Sequence, residues 1–342
     1  MSPLSVPSPQ TDVIGALIEW LDQGHTAALA TVISTWGSSP CPPGSHLAIR
    51  DDGAIIGSVS AGCVESAVVH EAMEAINGAP PAVSEFGVTG DMAWEVGLAC
   101  GGEIRVLVRR VENDAALYRA ARKRAGEGQS SALVTRISDG ASVLIGAGEK
   151  SGSLDVSPEL SEAAGAAARE NRSGVFEDGD EAFFIEALTP PKRLIIVGAV
   201  HIAQTLVPMA RMAGFEVVVV DPREAFATPE RFPDVELRTD WPDEALLDLA
   251  VNDHTAVVVL THDPKIDDPV LQAALMSPAF YVGALGSLRT QEKRNKRLEE
   301  RGVEPRDIAR LHGPVGLDIG SASPAEIAVS ILAEIIQELR RG

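Results

Sequence analysis

The chain is short of thiols, of tyrosine and of positive charge, and each shortage removes a class of function. Three cysteines in 342 residues are too few, and odd in number, for a disulfide framework; they suit a reducing cytoplasm, which is the expected location. Lys and Arg number 29 against 49 Asp and Glu, a net charge of −20. General binding to nucleic acid or to an anionic membrane needs basic stripes, so neither is expected as a partner. A small anion held by a few local cations and helix N-termini is compatible with that balance. Two tyrosines, with no recognisable Tyr–Lys pair or hydride-transfer acid, count against the commonest dehydrogenase chemistry. The longest apolar runs, such as Leu194–Val200 and Ala256–Leu260, are strand-sized and far too short to span a bilayer. Residues 1–10 are Ser/Pro-rich without a basic region and an apolar one behind it, so they read as a loose tail rather than a signal peptide.

Against that background two cysteines stand out, each framed by small residues: Gly57-Ser58-Val59-Ser60-Ala61-Gly62-Cys63-Val64-Glu65 and Gly97-Leu98-Ala99-Cys100-Gly101-Gly102-Glu103. Small neighbours let a bulky ligand reach the sulfur and the adjacent backbone N–H groups together. After Cys63, the residues Val64, Ala67, Val68, Ala72, Ala75 and Ile76 recur at helical spacing. Cys63 is then the expected cap of that helix, at the positive end of the dipole where thiolate is favoured. After Cys100, the run Ile104–Arg109 alternates as a strand. The competing reading is that the small residues only mark tight turns and the thiols only pack. Two such frames in one short domain favour a shared site. Cys41, in the Gly/Pro loop Thr35–Gly44, has no role in this reading.

A length of 342 residues suggests two domains. A helix is expected over Val13–Gln23 with Thr11 or Asp12 as its cap. A strand follows at Ala27–Ser34, then a hairpin of His46–Arg50 and Ala54–Ser58 about Asp51-Asp52-Gly53. Short strands are expected at Ala132–Ile137, Ser142–Ile145 and Ala182–Leu188 around an Ala-rich helix, Glu159–Arg169. Thr189-Pro190-Pro191 breaks the pattern, so the expected division is a tail over 1–10, an α+β domain over 11–190 and a second domain over 191–342. The second domain alternates β and α: strands at Arg193–Val197, Phe215–Val220, Ala256–Leu260 and Phe280–Val282, each followed by a loop and a helix. That alternation implies a parallel, doubly wound α/β sheet. The last helix opens on Ser323-Pro324-Ala325-Glu326, a capping box.

In such sheets ligands bind beyond the carboxyl ends of the strands. The unusual residues of this half fall there: Gly198, His201, Asp221 with Arg223, His262 with Asp263, the loop Gly283–Ser287 with Gly286, and His312-Gly313. Gly198 permits a tight strand-to-helix turn, and Asp221 sits where an acid can bond a ribose hydroxyl. Val200 occupies the place of the second glycine of a dinucleotide fingerprint, so NAD(P) is the lesser expectation. The three histidines with Asp263 offer a metal site only as a minority reading. The basic run from Arg289 to Arg301 reads as a solvated helix face whose first member, Arg289, is best placed to reach an anion.

Taken together, Thr35–Pro40, Gly57–Glu65, Gly97–Glu103, Leu194–Ala203, Leu260–Asp263, Gly283–Ser287 and His312–Gly320 resemble the xanthine dehydrogenase accessory family of the XdhC/CoxI type, in order and over almost the whole chain. The resemblance implies a cysteine-bearing N-terminal domain and a Rossmann C-terminal domain. It further implies a chaperone that binds molybdenum cofactor, protects it while a cysteine desulfurase installs its terminal sulfur, and delivers it to an apo molybdenum hydroxylase. Carried to this chain, Cys63 and Cys100 would contact the molybdenum or its sulfur, with Gly62, Gly101 and Gly102 beside them. Gly198, His201, Asp221, Arg223, His262, Asp263, Gly283, Gly286, Ser287 and Arg289 would take the phosphate or nucleotide portion of molybdopterin or of its cytosine dinucleotide form. The cysteine site and the strand-end crevice are then expected to serve one ligand, within one chain or across a homodimer. The alternatives are an NAD(P)-dependent oxidoreductase built on the C-terminal sheet and a thiol-redox protein using Cys63 and Cys100.

Overall fold

A computed structural model describes residues 12–37, 39, 41–62, 64–87, 102–111, 114–146 and 148–341. The chain forms two compact units, one spanning Gln10–Pro190 and the other including Pro191–Gly342.

The first unit runs α1 (Val13–Asp22), β1 (Ala27–Trp36), β2 (His46–Arg50), β3 (Ile55–Gly57), α2 (Glu65–Ile76), β4 (Ala82–Phe86) and β5 (Glu103–Val111). It continues α3 (Ala115–Gly126), β6 (Ser131–Arg136), β7 (Ser142–Gly146), β8 (Glu149–Gly152), α4 (Pro158–Glu170), β9 (Gly174–Asp178) and β10 (Glu181–Leu188). The strands form two antiparallel sheets, β3-β2-β1-β5-β4 and β8-β7-β6-β10-β9. Successive strand residues face opposite sides, and β1 is apolar on both. Its Ala28, Ala30 and Val32 pack against Val68, Ala72 and Ile76 of α2. Its Ala27 and Leu29 face a core shared with Leu17, Tyr118, Leu133 and Leu144. The second sheet repeats the device, with Ala132 and Val134 turned towards Leu160 and Ala164 of α4. A buried polar chain ties the sheets together: Thr31 to His46 at 3.0 Å, His46 to Glu186 at 2.7 Å, and the Tyr118 hydroxyl to Glu186 at 3.4 Å. Each buried polar atom in that chain has a partner, so the network fixes the pairing of the sheets without an unmet desolvation cost.

The helix and strand spacing places α1, α2, α4, β1, β2, β6, β7 and β10 within a residue or two of where they lie. It does not announce β4, β8 or β9. These are edge strands, and β8 is exposed along its whole length, so they carry no apolar alternation to read.

The second unit alternates β11 (Arg193–Val197), α5 (His201–Met212), β12 (Glu216–Val220), β13 (Glu236–Arg238), α6 (Pro242–Asp248), β14 (Thr255–Val259) and α7 (Pro264–Leu275). It ends with β15 (Tyr281–Ala284), α8 (Leu288–Glu300), α9 (Pro305–Ile308), β16 (Leu311–His312) and α10 (Pro324–Arg341). All six strands are parallel, in the order β13-β12-β11-β14-β15-β16. Leu194, Ile196, Val217, Val219 and Val258 face one core, with Leu206 and Ile331 from the helices. Ile195, Val197, Val218, Val220 and Val257 face the other, with Leu246, Val270 and Leu298. Burial on both faces is why these strands read as unbroken apolar runs. This is the doubly wound α/β fold that the alternation implies. Ser323 and Glu326 close the capping box reciprocally: the Ser323 N–H donates to the Glu326 carboxylate at 2.8 Å and the Glu326 N–H to the Ser323 hydroxyl at 3.3 Å. Among the described residues no helix is long and apolar enough to cross a membrane.

Candidate functional site

In the first unit the glycine frame before α2 is wound around a carboxylate. Ala61 and Gly62 both take positive φ, 60° and 115°, and the alternate N–H groups of Ser60, Gly62 and Val64 converge on one anion. The anion is the chain's own. Glu65 accepts from the Ser58 hydroxyl at 2.6 Å, the Ser60 hydroxyl at 2.6 Å, and the N–H groups of Ser60, Gly62 and Val64 at 3.0, 2.9 and 3.2 Å. Partial burial alone would raise this carboxyl, but the hydroxyl and N–H donors outweigh it and hold it at about 2. The loop therefore has a fixed shape before any ligand arrives. The helix cap is Val64, with no side-chain cap, rather than the expected Cys63; Glu65, at the first helical position, reaches back to the N–H groups of the loop that leads into the helix.

Cys63, Cys100 and Gly101 lie outside the described residues. Gly62 is exposed on the loop, and Gly102 is buried just ahead of β5. Cys41, given no role from sequence, packs against the same loop: the Ser58 hydroxyl and the Ala61 N–H face its sulfur. Burial pushes its thiol up from the ordinary value, with the nearby Glu65 adding to the effect. The chain does carry a signal for Glu65, a run of small hydroxylated residues leading into an acid at a helix start. In the sequence that signal is indistinguishable from the small-residue frame of a thiol.

In the second unit the strand order reverses between β11 and β14, so the loops after these two strands diverge and open a crevice at their carboxyl ends. Gly198 makes the turn out of β11 with φ +110°. A Cβ there would sit 2.8 Å from the Thr261 methyl and 3.2 Å from its amide nitrogen, so only glycine lets the two loops pass. Asp221, at the end of β12, is fully buried and turned inward. It accepts from the Ala199 N–H at 2.8 Å, the Arg223 N–H at 3.0 Å and the Arg223 guanidinium at 2.8 and 2.7 Å. Burial would raise it; Arg223 and the two amides hold it below the usual carboxylate range. Four donors occupy the four acceptor positions of a carboxylate, so Asp221 braces the Gly198 turn and aims Arg223, whose guanidinium lies 4.4 Å over the Phe226 ring.

His201 is exposed at the first position of α5, behind the Val200 cap. His262 is exposed with φ 61°, and Asp263 caps α7 through the Lys265 N–H. Gly283 lies within β15, where a Cβ would strike Val315 and the Tyr281 ring, so its smallness serves packing. Ser287 caps α8 through the Thr290 N–H at 3.2 Å, and Gly286 lies beside Thr290. The segment after β16 is pinned to α10, since Glu334 accepts from the Tyr281 hydroxyl at 2.5 Å and from the Gly316 N–H at 2.7 Å. His312 stacks on Tyr281 with centroids 4.5 Å apart.

The expectation of a solvated basic face on α8 holds only in part. Arg294 is buried, donating to the Leu285 carbonyl at 2.8 Å and to Gln291 at 2.6 Å. Arg297 makes a two-pronged pair with Asp268 at 2.6 and 2.9 Å. Charge patterning on one helix cannot reveal that α7 places Asp267 and Asp268 opposite these residues. Asp267, Arg294 and Arg297 line a cavity of about 520 Å³ with His262, Pro264, Arg289, Thr290 and Lys293. Among the described residues no group of three or more His, Cys, Asp and Glu is gathered as a metal site.

The comparisons with known proteins agree with this architecture. A family model described as XdhC and CoxI family matches residues 20–87, and one described as XdhC Rossmann domain matches residues 194–335. A protein of Bacillus subtilis described as a probable xanthine dehydrogenase subunit is 29% identical over 328 residues, spanning 94% of this chain and 96% of that protein. The molybdenum cofactor insertion chaperone PaoD of Escherichia coli is 27% identical over 318 residues, spanning 93% of this chain and 85% of that one. The crystal structure of a xanthine dehydrogenase from Bacillus halodurans superposes with a TM-score of 0.78 at 26% identity, covering 96% of each chain. The two family matches fall in order, one on each unit: this chain belongs to the XdhC and CoxI family, with an XdhC Rossmann domain as its second unit.

Proposed function

We propose that the protein is a molybdenum-cofactor-binding chaperone with no turnover of its own. It holds the cofactor as cargo, shields it while a cysteine desulfurase supplies the terminal sulfur, and passes it to an apo molybdenum hydroxylase of the xanthine dehydrogenase, CO dehydrogenase or aldehyde oxidase type. The relation to an insertion chaperone over 93% of the chain supports the reading. The observation that carries it is the loop ahead of α2, in which Ser58, Ser60 and Gly62 are wound around Glu65: a carrier of a reactive group gains from a binding loop that is ordered beforehand. In this reading Cys63 and Cys100 present soft thiolates to the molybdenum or its sulfur, and Gly62, Gly101 and Gly102 leave room for it. The strand-end crevice of the second unit takes a phosphate-bearing group, such as that of molybdopterin or its cytosine dinucleotide. Arg223, paired with Asp221, braces the wall of that crevice after β12.

The experiment is to purify the protein from a molybdate-supplied host, denature it, and identify the pterin and the molybdenum released. Replacing Cys63 and Cys100 by Ser should leave thermal stability near that of the parent while retained molybdenum falls. Loss of the gene should leave a molybdenum hydroxylase made but inactive, with its cofactor missing or unsulfurated. A double variant that supports full hydroxylase activity, beside a parent protein that oxidises a small substrate with NAD(P), would replace the chaperone by the oxidoreductase alternative.

A further inference from the structure

The cavity between α7 and α8 is a place in this acidic chain where cations gather. Four basic side chains, Arg289, Lys293, Arg294 and Arg297, line it with one carboxylate of α7, Asp267, while the neighbouring Asp268 pairs with Arg297. The carboxylates are committed: Asp268 to Arg297 at 2.6 Å, and Asp267 to the Thr261 hydroxyl, with Arg294 3.8 Å away. Arg289 and Lys293 are exposed on its rim and have no hydrogen-bond or ion-pair partner among the described residues, and His262 is exposed there close enough to Asp267 to interact with its charge. Arg294 forms the floor. It is 1% exposed, and its Nε is buried with no hydrogen-bond partner. A buried guanidinium donor without an acceptor carries a desolvation cost that a ligand acceptor would remove.

Neither helix start supplies the binding. Asp263 already caps α7, Pro264 lacks an N–H, and Ser287 caps α8. The turn after β11, where a dinucleotide pyrophosphate ordinarily rests, has given its Ala199 N–H to Asp221 and carries Val200 where a glycine is needed for close approach. The uncommitted positive charge of the crevice side therefore lies after β14 and β15, not after β11.

We propose that the α7–α8 cavity is the subsite for a phosphate or pyrophosphate group, gripped by Arg289, Lys293 and His262 above the guanidinium of Arg294. Arg and phosphate form short charge-assisted hydrogen bonds, and 520 Å³ holds a pyrophosphate, or a phosphate with part of the pterin or nucleoside that bears it. The inference rests on the carrier reading only for the identity of that larger molecule.

The test uses the full-length protein and three probes, inorganic phosphate, inorganic pyrophosphate and CDP, titrated calorimetrically at low ionic strength. Arg289→Gln with Lys293→Gln should weaken pyrophosphate at least about tenfold, with an unchanged melting temperature because both side chains are exposed and unpaired among the described residues. His201→Gln, at the start of α5, should leave binding unchanged. Tighter binding of CDP than of pyrophosphate assigns the group to a nucleotide; equal or weaker binding assigns it to a phosphate-bearing pterin. The proposal is overturned if the parent binds none of the probes, if the double variant binds pyrophosphate as the parent does, or if His201→Gln is the change that weakens it. None of these results bears on molybdenum retention by the Cys63 and Cys100 variant, so the two readings fail separately.

Discussion

Replacing Glu65 by Gln tests whether the loop before α2 is held by its internal carboxylate. Glutamine keeps the length but offers one carbonyl oxygen and turns an NH2 towards the N–H groups of Gly62 and Val64, which also donate. The parent carboxyl is held at about 2 against an ordinary 4.5. The difference corresponds to about 3 kcal/mol by linkage. Solvent reaches part of the loop, and screening reduces the net contribution to about 1–2 kcal/mol. For a unit of this size that is a fall of about 3–6 °C in melting temperature. The sign with pH follows from the depressed value. Stabilisation is fully present above the unfolded pKa near 4.5 and is lost as pH falls towards about 2. Urea unfolding of parent and variant, followed at neutral pH and then down to about pH 3, should show a constant gap that narrows below about pH 4.5. A variant as stable as the parent at neutral pH, or a gap indifferent to acid, would refute the argument. If Glu65 organises the cargo loop, the variant should also retain less molybdenum than its stability loss explains.

Two further substitutions probe the second unit. Gly198→Ala forces a Cβ into a left-handed backbone 2.8 Å from the Thr261 methyl, and should cost about 2–4 kcal/mol in denaturant unfolding; a cost below about 0.5 kcal/mol would show that the β11 and β14 loops can part. Asp221→Asn leaves the Arg223 guanidinium without its buried partner and should cost about 3 kcal/mol. Because Asp221 has no free acceptor position, that variant should weaken riboside and pterin ligands alike, and selective loss of riboside binding would return it to ribose contact.

The sequence alone determined the elements that must hide apolar surface. Period-2 and period-3.6 patterns mark β1, β2, α2 and α4, and the unbroken runs of β11, β12 and β14 can belong only to strands covered on both faces. It also carries the ordered motifs, from Thr35–Pro40 to His312–Gly320, on which the resemblance to the family rests. Gly198 is legible in this way: its φ is a property of the turn itself. Partnerships between distant segments were decided by tertiary structure. Asp221 reads as an open acid at a strand end, and only the return of the chain past Ala199 and Arg223 closes it. Arg294 and Arg297 read as solvated cations until α7 brings Asp267 and Asp268 across. Cys41 reads as an idle loop thiol until the turn after β3 carries Ser58 and Ala61 against it. The physical reason is range. Backbone conformation and amphipathic spacing are set by neighbours within a few residues, whereas burial and charge pairing depend on which remote surface arrives, and no local pattern records that.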